Sequence, residues 1–375
     1  MAADVLTELV ERLLVHVRAG TTELADTEYE EPVEAYTDPD RFALERERFF
    51  SGDIPLTVGL SGQLPEPHSV LPFDDYGVPL LLRRDGDGRF RAFLNVCRHR
   101  GTVLVNEPQR RGTIQCPYHA WTYGLDGSLR AAPRSKDEPD FDMDCLGLVP
   151  AQVGTWGPFV FANPDMDAPG LDVALGDLPE VVAENGLDVD SLRFHDRGAY
   201  EINANWKIAI ENYLECYHCQ LNHPGFVKLI DEQNQLMEVV GLRLTQVPPI
   251  HPDAYTDAAP YDVSDSLPTA QYHILFPAMK FNVNPGRPNL SIGPLWPVAT
   301  DRTAGWYDRF FPEGTDEEWI EAMGVFDNQV GSEDTGLVEA VQQGASSGAL
   351  EHGRLLTRTE ALIGAFQDMV RARVG

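Results

Sequence analysis

The sequence predicts an α+β protein, with a small antiparallel β-domain set between an N-terminal helical arm and a larger domain of antiparallel sheet and helix. Three observations carry this. Short apolar runs broken by Asp-Gly pairs dominate residues 46–165. From residue 166 to 375, helix-like segments mix with strand-like ones. The final 60 residues read as largely helical. Apolar spacing of three and four marks a helix face and alternation marks a half-buried strand, so these changes of period divide the chain.

The arm spans residues 1–45. In "MAADVLTELVERLLVHVRAG", Leu6, Val10, Leu13, Leu14 and Val17 fall at helical spacing among Asp4, Glu8 and Glu11. That is an amphipathic helix, not the basic start and unbroken apolar stretch of a signal peptide. In the β-region, "RRDGDGRFRAFLNV" and "AWTYGLDGSL" read as hairpins, because Asp-Gly suits the tight turns that join antiparallel strands. In the third region "NWKIAIENYLECYH" reads as a helix, and "QYHILF" and "LSIGPLW" as strands.

Composition excludes several function classes. The chain is 43% hydrophobic and 23% charged, which is ordinary for a globular protein with a sizeable core. No run of about 18 apolar residues offers a membrane span. Five cysteines in 375 residues do not make a disulfide framework, and they fit a reducing cytoplasm. A net charge of −30 argues against nucleic acid or anionic membrane as a partner.

The chemistry concentrates in two places. The first is "CRHRGTVLVNEPQRRGTIQCPYHAW", with Cys97 and His99 in one loop, then sixteen residues, then Cys116 and His119 in another. Two thiols and two imidazoles suit either a tetrahedral zinc or a Rieske [2Fe–2S] centre. Zinc fingers pair Cys with Cys and His with His at short range. Here each loop supplies one of each, which favours a cluster of two irons with each loop reaching both. The second place is "ENYLECYHCQLNHPGF", residues 211–226. His218 and His223 would point apart on an unbroken helix. Pro224 pushes His223 out of helical geometry, so a helix ending near Asn222 lets it swing back toward His218. Two histidines and one carboxylate make the facial triad of a mononuclear non-haem iron. Cys216 and Cys219 lie near a helix end rather than a helix start, so they read as small buried apolar residues rather than a redox pair, and Cys145 reads the same way.

These segments resemble the ring-hydroxylating oxygenase large subunits. "CRHRG…CPYHAWTYGLDGSL" is similar to their Rieske motif, and "NWKIAIENYLECYHCQLNHP" to their catalytic-iron segment. The resemblance implies a Rieske domain inserted into a helix-grip catalytic domain. It implies Cys97, His99, Cys116 and His119 as cluster ligands, and His218 and His223 as iron ligands. "SEDTGLVEA" resembles the family's closing motif, which implies Asp334 as the third iron ligand, with Asp327 as the fallback. Glu215 takes the place of the acid that links the two metal centres; many ring dioxygenases have Asp there, and Glu marks the choline monooxygenase and glycine betaine demethylase-like branch.

Further expectations follow from the family. It implies a homotrimer in which the cluster of one subunit serves the iron of its neighbour through Glu215. It implies O₂ as co-substrate, and electrons ultimately from NAD(P)H through a reductase or ferredoxin. The substrate expected for this branch is a small organic molecule such as a quaternary ammonium compound; hydroxylation of an aromatic ring or a natural product is the alternative, and a non-catalytic electron carrier a third. Six arginines, Arg98, Arg100, Arg110, Arg111, Arg130 and Arg134, against Glu107 and Asp126, form a local basic patch suited to an acidic donor. Tyr272, Phe276, Phe281, Trp296 and Trp306 fall in the region expected to line the substrate pocket.

Overall fold

The computed structural model describes Arg18 and residues 29–50, 56–60, 64, 66–74, 77–136, 138–256, 259–265 and 267–374. The amphipathic helix expected near the N-terminus lies outside the described residues.

One seven-stranded antiparallel sheet runs in the order Leu56–Leu60, Phe159–Asn163, Pro150–Trp156, Phe90–Leu94, Leu80–Arg84, Ser69–Phe73 and Gln109–Arg110. Both expected hairpins are present. Leu80–Arg84 pairs with Phe90–Leu94 across the first Asp-Gly turn. Thr122–Tyr123 pairs with Leu129–Ala131 across the second, in a small three-stranded sheet with Ile114–Gln115.

A second seven-stranded antiparallel sheet runs in the order Leu192–Ile202, Arg302–Pro312, Leu290–Ala299, Met279–Val283, Gln271–Leu275, Arg243–Val247 and Leu236–Val240. A 30-residue helix, Glu317–Ser346, packs against it. Asp316 starts this helix by accepting the N–H of Glu318 at 2.9 Å, with Glu317 and Glu318 placed where the helix dipole favours negative charge. Its buried stripe runs through Trp319, Met323, Val338 and Gln342 at helical spacing. Asp327 and Asp334 fall on the same stripe, and there the helix faces a cavity instead of packed core.

The start of the chain is bound to its end. Tyr29–Pro32 pairs with His352–Leu355. The helix Pro39–Phe50 brings Phe49 and Phe50 edge-on to Trp206, at 5.8 and 5.4 Å between ring centroids. It also brings a fully buried Glu45 within 2.6 Å of the Lys207 ammonium and 2.9 Å of the Trp206 indole nitrogen. A buried carboxylate this well partnered fixes orientation, because removing either partner strands a charge. These contacts hold the helix Trp206–Tyr213, which leads into the His218 segment.

Among the described residues, no helix is long and apolar enough to cross a membrane.

Candidate metal centres

The Cys97 and Cys116 loops are built to one plan. Val96 bridges Val103 across the first loop, and Ile114–Gln115 pairs with Thr122–Tyr123 across the second. The N–H of Cys97 donates to Thr102, five residues on, at 2.9 Å, and that of Cys116 to Trp121, also five on, at 2.7 Å. The N–H of Gly101 returns to the Cys97 carbonyl at 3.0 Å, and that of Ala120 to the Cys116 carbonyl at 3.1 Å. Both returning residues are left-handed, Gly101 at φ +76° and Ala120 at φ +60°. Glycine takes this conformation freely and alanine does so at a cost, so the second loop is held in place by its surroundings.

The donors divide by environment. Cys97 and Cys116 are buried, while His99 and His119 are exposed with their rings 4.7 Å apart. Trp121 stacks on His99 at 4.8 Å and fixes that ring. The Tyr123 hydroxyl lies 3.3 Å from the Cys97 sulfur and accepts the Arg98 N–H at 3.0 Å. Buried sulfurs beneath solvent-facing imidazoles fit a two-iron Rieske cluster, in which Cys97 and Cys116 would hold one iron and His99 and His119 the other. Arg98, Arg100 and Arg134 stay exposed around it, with Arg100 donating to Tyr118 at 3.2 Å. Two of the six patch arginines are already paired: Arg110 with Glu66 at 2.5 Å and Arg130 with Asp126 at 2.7 Å.

The second centre departs from the expected local structure while reaching the expected geometry. The helix does not run to Asn222. It stops at Tyr213, and a separate turn of helix forms at Cys219–Asn222. The cause is Glu215, whose carboxylate accepts the backbone N–H groups of Tyr217 and His218 in place of helical carbonyls. Cys216 and Cys219 are not inert apolar residues either: they form a disulfide that clips this turn, with the Cys219 sulfur 3.9 Å from Nε2 of His218. Cys145 is exposed rather than buried, and its thiol donates to Asp142 at 3.2 Å. His223, before Pro224, has left helical geometry at φ −124° and ψ 62°.

His218, His223 and Asp334 converge, with one ligand atom from each lying within 4.8 Å of the others. Oδ1 of Asp334 is 3.3 Å from Nε2 of His218 and 2.9 Å from Nε2 of His223. Asp334, and not Asp327, completes the set. Both imidazoles present Nε2 inward because Nδ1 is occupied: that of His218 by Glu215, and that of His223 by Glu333 at 2.7 Å. A carboxylate on the far nitrogen fixes the tautomer and leaves the near lone pair for a metal. Asn212 donates to Asp334 Oδ1 at 2.8 Å and fixes its rotamer. Two imidazoles and one carboxylate on a single face would hold a mononuclear Fe(II) once the imidazoles give up their protons to it.

Charge in the centre is strongly perturbed. Burial alone would raise the Asp334 pKa, but hydrogen bonds from His218, His223 and Asn212 hold it well below the usual carboxylate range. Burial disfavours His218 as a cation, yet hydrogen bonds to Asp334 and Glu215 push it up to about 9. His223 is raised for the same reasons, with Glu333 in the place of Glu215. The site attracts positive charge at its centre, and a divalent cation there satisfies all three ligands at once.

A cavity of about 520 Å³ opens from the triad. Tyr213, Phe226, Tyr261, Tyr272 and Phe326 line it, along with Lys280, Asn284 and Asp327. Of the five aromatics expected there, only Tyr272 contributes. Strand alternation explains the miss. Lys280 and Asn282 face the cavity, so Phe281 faces away, packing on Trp156 at 5.6 Å. Leu295 and Tyr307 likewise face the cavity in place of Trp296 and Trp306. Phe276 packs on Phe49 at 5.3 Å. Sequence reasoning also missed Glu333 and Asn212. Each adjoins a residue within the motifs already singled out, and that adjacency was the available signal.

Comparison with known proteins agrees with the geometry. Residues 189–375 match the family profile described as ring hydroxylating alpha subunit (catalytic domain), and residues 55–148 match the Rieske [2Fe-2S] domain. The carnitine monooxygenase oxygenase subunit of Escherichia coli (strain K12) is 33% identical over 339 residues, covering 87% of this chain and 87% of that protein. The chloroplastic choline monooxygenase of Spinacia oleracea is 31% identical over 344 residues, covering 89% of this chain and 76% of that protein. The crystal structure of a quaternary ammonium Rieske monooxygenase in complex with L-carnitine superposes with a TM-score of 0.79 at 29% identity, over 92% of this chain and 95% of that one.

Proposed function

This chain belongs to the Rieske non-haem iron oxygenase large subunits, and from that premise we propose that it hydroxylates a quaternary ammonium compound at a carbon next to nitrogen. The observation that carries the reading is the His218, His223 and Asp334 triad at the end of a tyrosine-lined cavity. Tyrosine faces suit a cation that cannot donate hydrogen bonds. The likeness to carnitine and choline monooxygenases supports the same substrate class.

Cys97, Cys116, His99 and His119 would hold the cluster, and His218, His223 and Asp334 the catalytic iron. When bound, these groups supply single electrons and O₂ activation. The protein's own residues do the rest. Glu215 and Glu333 orient the two imidazoles, and Asn212 orients the third ligand. We assign residues 46–165 to the cluster domain, and residues 1–45 with 166–375 to the catalytic domain. The pairing of Tyr29–Pro32 with His352–Leu355 supports joining the arm to the catalytic part. We further place the protein in the cytoplasm as a homotrimer, with Glu215 linking His218 to the neighbouring subunit's cluster. Exposed Arg98, Arg100 and Arg134 would receive an acidic reductase or ferredoxin that draws on NAD(P)H.

The test is metal analysis with a visible spectrum on protein purified without oxygen, followed by a turnover screen with a reductase. About three irons per chain and a Rieske spectrum are expected, falling to about two in His218→Ala with the spectrum intact. In the screen, quaternary amines should consume O₂ and aromatic acids should not. Turnover of aromatic acids alone would overturn the substrate reading, and a two-iron wild-type protein would overturn the oxygenase.

A further inference from the structure

Arg83 is a buried charge that neither metal centre has so far used. It lies on the strand Leu80–Arg84 of the cluster domain and is fully buried. Strand parity fixes the side it faces. Leu80 and Leu82 point into the main core, whereas Leu81 packs in a second core with Cys97, Cys116, Trp121 and Tyr123. Arg83 shares the face of Leu81, and Val70, its partner on the neighbouring strand, belongs to that second core as well. A guanidinium therefore enters the core that holds both candidate ligand sulfurs.

Its partners are neutral. Nη1 donates to the Gly124 carbonyl at 2.8 Å and Nη2 to the Arg111 carbonyl at 3.1 Å, while Nε has no hydrogen-bond partner among the described residues. No carboxylate among the described residues forms an ion pair with it. Asp85, two residues on, is held by Arg91 at 3.1 Å. Asp126 acts on Arg83 only through space and is itself bound by Arg130 at 2.7 Å. Burial pulls the Arg83 pKa down to about 10, so the group stays a cation at neutral pH. The two acceptors flank the Cys116 loop, and Gly124 directly follows Tyr123, whose hydroxyl is 3.3 Å from the Cys97 sulfur. The charge is thus tied to the ligand loops themselves.

A buried cation without a counter-charge is costly, and carbonyl dipoles offset only part of that cost. We propose that Arg83 is the counter-charge of the Rieske cluster and raises its reduction potential. Two thiolates and two sulfides balance two ferric ions, so the oxidised cluster is neutral. One electron from the donor protein leaves it with a net negative charge. The Arg83 cation favours the charged state over the neutral one, and net charge is one of the levers that set the potential of an iron–sulfur cluster. The proposal rests on the Rieske reading of the four ligands. The competing role is that of a clamp, in which Arg83 only ties residues 111 and 124 together across the loop.

The experiment is a stepwise reductive titration of the whole enzyme, followed by visible circular dichroism of the cluster, in the wild type, Arg83→Met, Arg83→Gln and Arg83→Lys. Arg83→Met removes the charge. Arg83→Gln removes it too but keeps a donor for one carbonyl. Arg83→Lys keeps the charge and cannot bridge both carbonyls. The two neutral variants should shift the reduction equilibrium toward the oxidised cluster by about 10-fold, or about 59 mV for a one-electron couple. Arg83→Lys should keep the wild-type potential on the acidic side of its own pKa, where the ammonium is charged. A clamp gives a different order, because Arg83→Lys and Arg83→Met then lose the bridge alike. A wild-type potential in both neutral variants would overturn the proposal, as would an equal drop in Arg83→Lys and Arg83→Met at every pH. Loss of the cluster from both neutral variants would make Arg83 a clamp needed for assembly and overturn it as well. A wild-type protein with no Rieske spectrum is a separate result, in which the reading of the four ligands itself fails.

Discussion

Glu211 gives the sharpest prediction about stability. It lies in the helix Trp206–Tyr213, beside the Asn212 that fixes Asp334. Its carboxyl is buried between the arm and the C-terminal helix Ala361–Val374, where it accepts from the Tyr36 hydroxyl at 2.8 Å and the Gln367 amide at 3.4 Å. Burial pushes its pKa from an ordinary 4.5 up to about 7, against the hydrogen bond from Tyr36 and the charge of Lys207. A carboxyl that binds its proton more tightly folded than unfolded contributes stability that is complete below pH 4.5 and is lost as pH rises through about 7. At about 1.4 kcal/mol for each pH of the gap, the loss is about 3 kcal/mol. Glu211→Gln keeps neutral partners for Tyr36 and Gln367 and removes the charge. The variant is therefore expected to gain about 3 kcal/mol over the wild type at pH 8, and to match it within about 1 kcal/mol at pH 5. Urea unfolding of both proteins at both pH values, followed by circular dichroism, measures this. Only the difference between the proteins isolates Glu211. His273, for example, is held down to about 3 by burial and loses stability in the opposite direction, on acidification below 6.5. A gain that is the same at pH 5 and pH 8 would refute the argument, and so would a variant less stable at pH 8.

Two further perturbations probe the iron centre. Glu333→Gln replaces the carboxylate on Nδ1 of His223 and should weaken iron retention about 10- to 100-fold in competition with a chelator, leaving the cluster spectrum unchanged; unchanged retention would reduce Glu333 to a surface residue. Cys219→Ala opens the disulfide that clips the His218 turn, a closure across three residues worth about 2 kcal/mol in chain entropy. Faster iron release is expected in this variant and in the wild type after treatment with a dithiol, and a dithiol with no effect on release would show that the clip does not hold the ligand.

The parts of this site that were legible in the sequence were those where one short segment carries several ligands. Cys97 with His99, and Cys116 with His119, announce a metal because two ligand types repeat at short spacing. His218 and His223 announce another because Pro224 dictates where the second imidazole turns. What local spacing could not carry was distance along the chain and the parity of strands. Asp334 lies 111 residues from His223, so resemblance named it before geometry did. A trace was present all the same: Asp327 and Asp334 sit on the stripe that buries Trp319, Met323, Val338 and Gln342, and a carboxylate on an otherwise buried helix face requires a partner. The pocket aromatics failed on parity, since a shift of one residue along a strand moves every side chain to the other face.

The disulfide failed for a related reason. A helix assumed to pass through Cys216 and Cys219 hides the break made by Glu215, whose side chain competes for the very N–H groups the helix needs. The same carboxylate holds Nδ1 of His218. One residue therefore ends the helix, forms the turn that the disulfide clips, and aims the ligand. This gives a structural reason for a longer Glu side chain at position 215, because the carboxylate must reach both the backbone ahead of it and the imidazole beyond.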